Sequence, residues 1–397
     1  MLLDVLSRVL SAVALLLLLP VGLLLIQVVA AVLPRSNTRH FVPAIGPRPT
    51  VVILVPAHNE ASSIAASLQT MKSQLGDRDR LLVVADNCGD ETARVSAEAG
   101  ADVVERNDLS KRGKGYALDH GIRSLEAAPP EVVIVVDADC ELHPGSVDRL
   151  ARLCLQAGRP VQALDLMHAP PAAGLKTRIA AFAWLVKNQV RPLGYHRMGL
   201  PCQLMGTGMA FPWPMIRDAP LASGHIVEDM RLGLDLAASG TAPMFCPEAK
   251  VTSVFPSHAQ GIAEQRARWE HGHLGIILKE APRALWRAFA HRRPSLAAMV
   301  FDLCVPPLSM LALLVSVLLG IEGGVLAFGG TALPLAITLL ALGMLLLGVA
   351  IAWFAFGRHV VSARELMAAP LYVLAKLPLY ARFFARRKSA WTRARRD

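Results

Sequence analysis

The sequence predicts an α/β domain, built on a mostly parallel β-sheet with helices on both faces and flanked by membrane-spanning helices. Three observations carry this. Between about residues 50 and 270, short β-rich runs alternate with helical patterns, as in a parallel sheet covered on both faces. Hydrophobic residues make up 53% of the 397, too many for an ordinary soluble enzyme, yet the middle of the chain is too charged for a pure membrane bundle. The apolar excess lies at the two ends.

The elements follow in order. Residues 9–33 form a nearly uncharged run of roughly 25 residues, long enough to cross a bilayer with some tilt. A cleaved signal peptide would have an apolar core of about 7–15 residues, so 1–34 reads as a transmembrane anchor. Asp4 and Arg8 precede the run, while Arg35, Arg39, His40 and Arg48 follow it. The positive-inside bias therefore places the amino terminus outside and the middle of the chain in the cytosol, with the anchor in the cytoplasmic membrane. A Pro-rich linker occupies 35–49. "VVILV" (51–55), "LLVVA" (81–85), "ADVVE" and "EVVIVV" (131–136) read as strands. "SSIAASLQTMKSQ", "DETARVSAEAG" and "GYALDHGIRSLEAA" read as the helices between and after them. In such a sheet ligands bind beyond the carboxyl ends of the strands, and the polar clusters sit there.

This domain is expected over 50–273. Residues 274–295 mix apolar residues with Lys279, Arg283 and Arg287, a pattern for a helix lying in the membrane surface or one packed on the core. Over 296–380 we expect a membrane hairpin. One span lies near 300–319, "GIEGG" makes a tight polar turn, and a second span lies near 333–356. The short apolar stretch 366–380, which contains Lys376 and two prolines, reads as an interfacial or re-entrant helix. Much of the formal charge of +10 falls in the tail 381–397. Because that tail directly follows membrane segments and has no nucleic-acid fold around it, membrane lipid rather than nucleic acid is its expected contact. None of the six cysteines forms a CxxC pair, and cytosolic thiols stay reduced, so no disulfide framework is expected. Cys88 and Cys140 read as small fillers.

Several motifs carry chemistry. In "VVDADC", Asp137 and Asp139 follow a strand at i, i+2, a spacing that lets two carboxylates reach one divalent cation; hard oxygen ligands suit Mg²⁺ or Mn²⁺. "VPAHNE" puts Asn59 and Glu60, and "VADNCGDET" puts Asp86, Asn87 and Asp90, at strand ends, where they can meet a ligand. Asp90 can also cap the helix that follows. "KRGKGYAL" sets Lys111, Arg112 and Lys114 around two glycines, suited to phosphate, but it is not a P-loop, because Gly113-Lys114 is followed by Gly115 and Tyr116 and not by Ser or Thr. "MGTGMAF" (205–211) is a Gly-rich turn able to approach a ligand closely. "HIVEDM" supplies Glu228 and Asp229, one of which can act as general base for an incoming hydroxyl. In "EQRARWEHGH", Gln265, Arg268 and Trp269 share one helix face. An Arg there can clamp a diphosphate and a Trp can stack on a sugar. His271 and His273 suit phosphate or metal contact, or plain interface polarity.

In this order, "VPAHNE", Asp86, "DAD", "VED" and "QRARW" resemble the signature of membrane-bound family 2 glycosyltransferases, the group of cellulose, chitin and hyaluronan synthases. The resemblance covers about residues 50–275 and implies a GT-A fold, a nucleotide-sugar donor, expected to be a UDP-sugar, and inversion at the anomeric carbon. It implies that Glu60 and Asp86 contact uridine, that Lys114 lies near the nucleotide, and that Asp137 and Asp139 hold nucleotide and metal. It makes Asp229, beside Glu228, the catalytic base and puts Gln265, Arg268 and Trp269 at the acceptor and diphosphate. The chain departs from the larger synthases in having Val before Glu-Asp, where Thr is usual, and in having about three spans. Few spans disfavour a secretion channel. We therefore expect transfer to a lipid-linked or glycan acceptor in cell-envelope or exopolysaccharide synthesis, alongside export machinery. The alternatives are a processive β-glycan synthase, an enzyme like ceramide glucosyltransferase, and a non-catalytic scaffold. A scaffold would be expected to have lost Asp137, Asp139, Asp229 or Arg268, and a transporter would need more spans.

Overall fold

The computed structural model describes residues 2–34, 46–225, 227–256, 259–374, 376–377 and 380, and of residues 259–268 it describes the backbone alone. Arg35, Arg39 and His40, the tail 381–397 and the side chains of Gln265 and Arg268 lie outside the described residues.

A long helix, α1 (Leu2–Val32), leads into an α/β domain. Its first half runs β1 (Val51–Ala57), α2 (Ile64–Lys72), β2 (Arg80–Asp86), α3 (Thr92–Glu98), β3 (Asp102–Arg106), α4 (Lys114–Ser124) and β4 (Val132–Val135). The second half runs β5 (Glu141–Leu142), α5 (Ser146–Ala157), β6 (Val161–His168), α6 (Leu175–Leu185), α7 (Arg191–Arg197), β7 (Met209–Pro212), α8 (Trp213–Arg217), α9 (Glu228–Ala238) and β8 (Met244–Val254). The strands form one eight-stranded sheet in the order β3-β2-β1-β4-β7-β6-β8-β5.

The four expected strands are all present and parallel, with Leu54 beside both Leu82 and Val135. Their continuous apolar runs are explained by burial on both faces. Because strand side chains alternate, Val51, Ile53 and Val55 pack with Leu68 and Met71 of α2 and Leu150 of α5. Val52 and Leu54 pack on the other face with Leu118 and Ile122 of α4 and Leu232 of α9. The sheet is more mixed than the alternation suggests: β7 runs antiparallel to β4 and β6, and β5 antiparallel to β8. These strands lack a clear sequence signal because β5 has two residues and β7 abuts the Gly-rich turn.

After β8 come α10 (Ala259–Lys279), α11 (Ala281–Ala290), α12 (Pro294–Leu303), α13 (Leu308–Ala327) and α14 (Leu333–Ala352), then two short helices, α15 (Ala363–Met367) and α16 (Ala369–Leu374). Helices α1, α13 and α14 with its extension to Gly357 are long and apolar enough to cross a membrane. α11 buries Ala281, Ala284 and Ala288 against α9 and α12 and exposes Trp286 and Phe289, so it packs on the domain with one face. Two expectations for the hairpin are corrected. The first span of the hairpin, expected near 300–319, starts at Leu308, because Pro306 and Pro307 interrupt the chain after α12. "GIEGG" is not a turn but lies inside α13. Glu322 is buried and accepts a hydrogen bond at Oε1 from the Thr338 hydroxyl of α14 at 3.1 Å, while Oε2 is buried without a hydrogen-bond partner among the described residues.

The carboxyl-terminal end of α1 is fastened to the domain. Gln27, fully buried, donates to Asp302 at 2.7 Å and accepts from Arg191 at 3.2 Å. Arg191 also pairs with Asp302 at 2.7 Å. At Gly194 a Cβ would overlap the Gln27 carbonyl, so only glycine allows this approach of α7 to α1. Arg197 donates to the carbonyl oxygens of Ala31 and, at 2.6 Å, Leu33, capping the end of α1.

His273 of α10 is buried, with Nε2 2.9 Å from the Leu303 carbonyl oxygen. Of the two readings of this histidine, the structural one holds. Burial, aided by Lys187, lowers its pKa from 6.5 to about 3. The unfolded chain therefore binds more protons between pH 6.5 and 3, and stability falls as pH drops through that window. We expect His273→Gln, which keeps an N–H donor, to flatten this acid limb by up to about 1.4 kcal/mol per pH unit. Denaturation midpoints measured at pH 7 and pH 5 check this. An unchanged slope would count against it.

Candidate active site

The carboxyl ends of β1, β2 and β4 open into a cleft of about 270 Å³. Glu60, Asp86, Lys114, Asp137, Asp139, Glu228, Asp229 and Trp269 all line it. These eight residues come from six separate stretches of chain, and every described member of the predicted set is present. Lys111 and Arg112 do not line the cleft, because the chain turns at Gly113 (φ 134°) and only then starts α4.

The strand-end loops are held by left-handed asparagines. Asn59 (φ 55°) accepts from Gly89 N at 2.6 Å, and Asn87 (φ 53°) accepts from Asp108 N at 2.8 Å. Asparagine tolerates this conformation better than most residues. Asp90 accepts from Thr92 N at 3.0 Å and from Ala61 N at 3.1 Å, so it secures the start of α3 and ties it to the β1 loop. Asp86, 6% exposed, is fixed by Arg106 at 2.6 Å and Asn87 at 3.0 Å. Arg106 in turn lies 5.4 Å from the Tyr116 ring centre. Glu60 accepts from the Ser63 hydroxyl at 3.1 Å.

Asp137 and Asp139 stand just past β4, and their carboxylates lie with the Cys140 thiol within 4.8 Å of one another. Burial and the two carboxylates push the Cys140 thiol well up, so it stays protonated. The donor set is thus two hard carboxylates, which fits Mg²⁺ or Mn²⁺ and not a thiolate-bound metal. Lys114 pairs with Asp137 and donates to the Gly206 carbonyl at 2.7 Å. Burial works against its charge, but Asp137 and Glu228 outweigh burial and hold the ammonium above its usual pKa.

The Gly-rich turn forms one wall. Gly206 (φ 93°) leaves room beside the Asp229 carboxylate, to which an added Cβ would lie at 3.5 Å. Gln162, fully buried in β6, accepts from Met205 N at 2.8 Å and donates to Thr207 O at 2.8 Å, which fixes the turn. Glu228 and Asp229 occupy the first turn of α9, where the helix dipole favours anions. Burial nevertheless raises both carboxyls above the usual carboxylate range; the neighbouring Asp229 adds to the shift of Glu228.

The sequence reading missed Asp165, Trp184 and Lys187, which also line the cleft. Asp165 lies in β6 and is 2% exposed. Burial pushes its pKa up to about 8, while Asn188 donates to it at 2.9 Å. The signal was an acid in the otherwise apolar stretch "ALDLM". Trp184 lies against Trp269 with ring centres 4.7 Å apart and planes tilted by 44°. Lys187 lies in a π-helical turn, Val186–Val190, with its ammonium 5.1 Å from the Trp184 ring centre. Such turns are frequent at functional sites.

This fold, with acids gathered at the carboxyl ends of its parallel strands, is of the GT-A class. A model of the family described as "Glycosyltransferase like family 2" matches residues 47–272, and the chain belongs to that family. It is 26% identical over 248 residues to the probable glycosyltransferase YdaM of Bacillus subtilis, covering 58% of this chain and 57% of that one. It is 33% identical over 94 residues to the low-salt glycan biosynthesis hexosyltransferase Agl6 of Haloferax volcanii, covering 23% of this chain and 21% of that one. The chain thus spans less than two thirds of the length of these curated relatives. Among solved structures, the mannosyltransferase PcManGT of Pyrobaculum calidifontis, in complex with GDP-Man and Mn²⁺, shares the fold with a TM-score of 0.54 at 18% identity. That match covers 96% of this chain and 99% of the other.

Proposed function

We propose that this family 2 glycosyltransferase is an inverting enzyme that moves a sugar from a nucleotide-sugar, a UDP-sugar in our reading, to an acceptor presented at the cytosolic face of the cytoplasmic membrane. The single observation that carries this is the convergence of the donor-side acids, Lys114 and the Glu228–Asp229 pair on one cleft beside Trp269. Asp86 and Glu60 bind the nucleoside. Asp137 and Asp139 would hold a divalent cation, which when bound supplies positive charge against the leaving nucleoside diphosphate. Arg268, assigned by the resemblance alone, adds to that charge, and Gln265 orients the acceptor. Trp269 stacks on the acceptor. Asp229 takes the proton of the attacking hydroxyl, and a single displacement converts an α-linked donor to a β-linked product. The occurrence of GDP-Man and Mn²⁺ in PcManGT supports a nucleotide-sugar donor and a divalent metal, and leaves the UDP base to the resemblance. The three long apolar helices support the membrane setting.

The test is nucleotide release by the full chain in nanodiscs, with UDP- and GDP-sugars and envelope lipid extract. We expect release that depends on both the lipid and the cation. EDTA is expected to abolish turnover while leaving the melting temperature nearly unchanged, and Mn²⁺ or Mg²⁺ to restore it. Turnover that survives EDTA would remove the metal assignment. Absence of release from nucleotide-binding protein would remove the enzyme reading.

A further inference from the structure

A second cavity, of about 100 Å³, lies beside the catalytic cleft. That is several times the roughly 10–15 Å³ one water needs. Trp184, Lys187 and Trp269 line both spaces and form the neck between them. On its far side the wall passes to Leu24 of α1 and to Val305, Pro306 and Leu308 at the start of α13. The cavity therefore joins the place of sugar transfer to two of the helices able to cross a membrane.

Its polar groups select the chemistry of an occupant. Glu270, a lining residue, pairs through one oxygen with Lys376, and its other oxygen, Oε2, is buried without a hydrogen-bond partner among the described residues. Trp184 Nε1 is likewise buried and unpartnered. A buried donor or acceptor left unpaired loses its hydration without replacement, so each favours an occupant that completes it. One orphan is an acceptor and the other a donor. A hydroxyl serves both, since it donates one bond and accepts others, whereas a phosphate dianion only accepts and would meet the charge of Glu270. Two of the cations lining the cavity are already committed: Lys376 to Glu270 and, at 3.0 Å, Ser309; Arg191 to Asp302.

We propose that this cavity is the berth of the acceptor, a neutral lipid with free hydroxyls, whose acyl chains leave between Leu24 and Leu308 and whose headgroup passes the Trp184–Trp269 pair toward Asp229. The assignment rests on the glycosyl-transfer reading above and names its acceptor class. In the step it serves, the lipid hydroxyl oxygen forms a bond to the anomeric carbon. The bond from that carbon to the diphosphate breaks, the nucleoside diphosphate leaves with the electron pair, and the hydroxyl proton goes to Asp229. The neck gives the two indoles a role: their apolar faces narrow the path of the hydroxyl-bearing end of the lipid and exclude water from it.

The experiment is photo-crosslinking of the full chain in phosphatidylcholine nanodiscs doped with a diacylglycerol carrying a diazirine in one acyl chain. A parallel arm uses phosphatidic acid with the same label. We expect diacylglycerol to label residues 180–187 and 305–309, and phosphatidic acid to label them weakly. Ala183→Phe fills the cavity and is expected to cut that labelling about tenfold, with nucleotide affinity as the control for folding. Should that variant misfold, Glu270→Gln keeps the shape and removes the charge, and is expected to lower labelling several-fold. Equal labelling of wild type and variants, or labelling confined to the outer faces of α1 and α14, overturns the berth. Phosphatidic acid labelling as strong as diacylglycerol overturns the neutral headgroup. A labelled cavity with no nucleotide release from any donor sinks the transfer reading instead, and release with an unlabelled cavity sinks the berth alone.

Discussion

Asp229→Asn is expected to lower kcat by about 10²–10⁴-fold, the usual contribution of a positioned general base. The amide keeps the shape of the carboxylate beside Gly206 and cannot take a proton. It also removes a charge next to Glu228, so the melting temperature should hold or rise. Nucleotide affinity should change little, because Asp229 is assigned to the acceptor hydroxyl. The pH profile follows from the environment. Burial raises the Asp229 pKa, and the base works only when ionised. The rate should therefore rise with pH through a pKa above that of an exposed carboxylate, and fall on acidification sooner than it would for an exposed base. Steady-state kinetics of both proteins across pH 5–9 (a window of about two units either side of neutral) measure this. A variant that keeps wild-type kcat would transfer the role elsewhere, with Glu228 first in line.

Asp302→Ala is expected to destabilise the protein by about 3–5 kcal/mol, the cost of stranding one member of a buried ion pair. Here the stranded group is Arg191, with Gln27 losing its acceptor as well. Because these residues fasten α1 and α12 to α7, the loss should show as separation of the membrane helix from the domain. Limited proteolysis and denaturant melts in nanodiscs would report it. The double change Arg191→Met with Asp302→Leu is expected to recover most of the stability, since apolar replacement of a buried pair is often neutral or stabilising. A single variant that melts like wild type would mean that the cluster does not hold α1.

Much of the site was legible because the chemistry is written in short motifs at strand ends. Asp137 and Asp139 follow an apolar strand, and Glu60 and Asp86 end two others. A parallel sheet gathers such ends at one edge, so their convergence on one cleft follows from the alternation of strands and helices. Asp165, Trp184 and Lys187 were not legible. They belong to a strand and a helix without motif, and they reach the cleft because a π-helical turn and the buried Asn188 orient that segment. His273 was read as ambiguous for a similar reason: whether a histidine meets ligand or carbonyl depends on what packs against it, and here it is the end of α12.

The sequence by itself determined the three apolar helices, the four parallel strands of the first half and the cleft acids other than Asp165, because hydrophobic period, length and strand-end position are local properties. Tertiary structure alone decided that "GIEGG" continues α13, since Glu322 is tolerated there only with Thr338 of another helix beside it. It alone decided that β7 enters the sheet antiparallel and that Gln27 of the first helix meets Asp302, 275 residues away. Those outcomes depend on partners brought together from distant parts of the chain, and no local pattern encodes a partner.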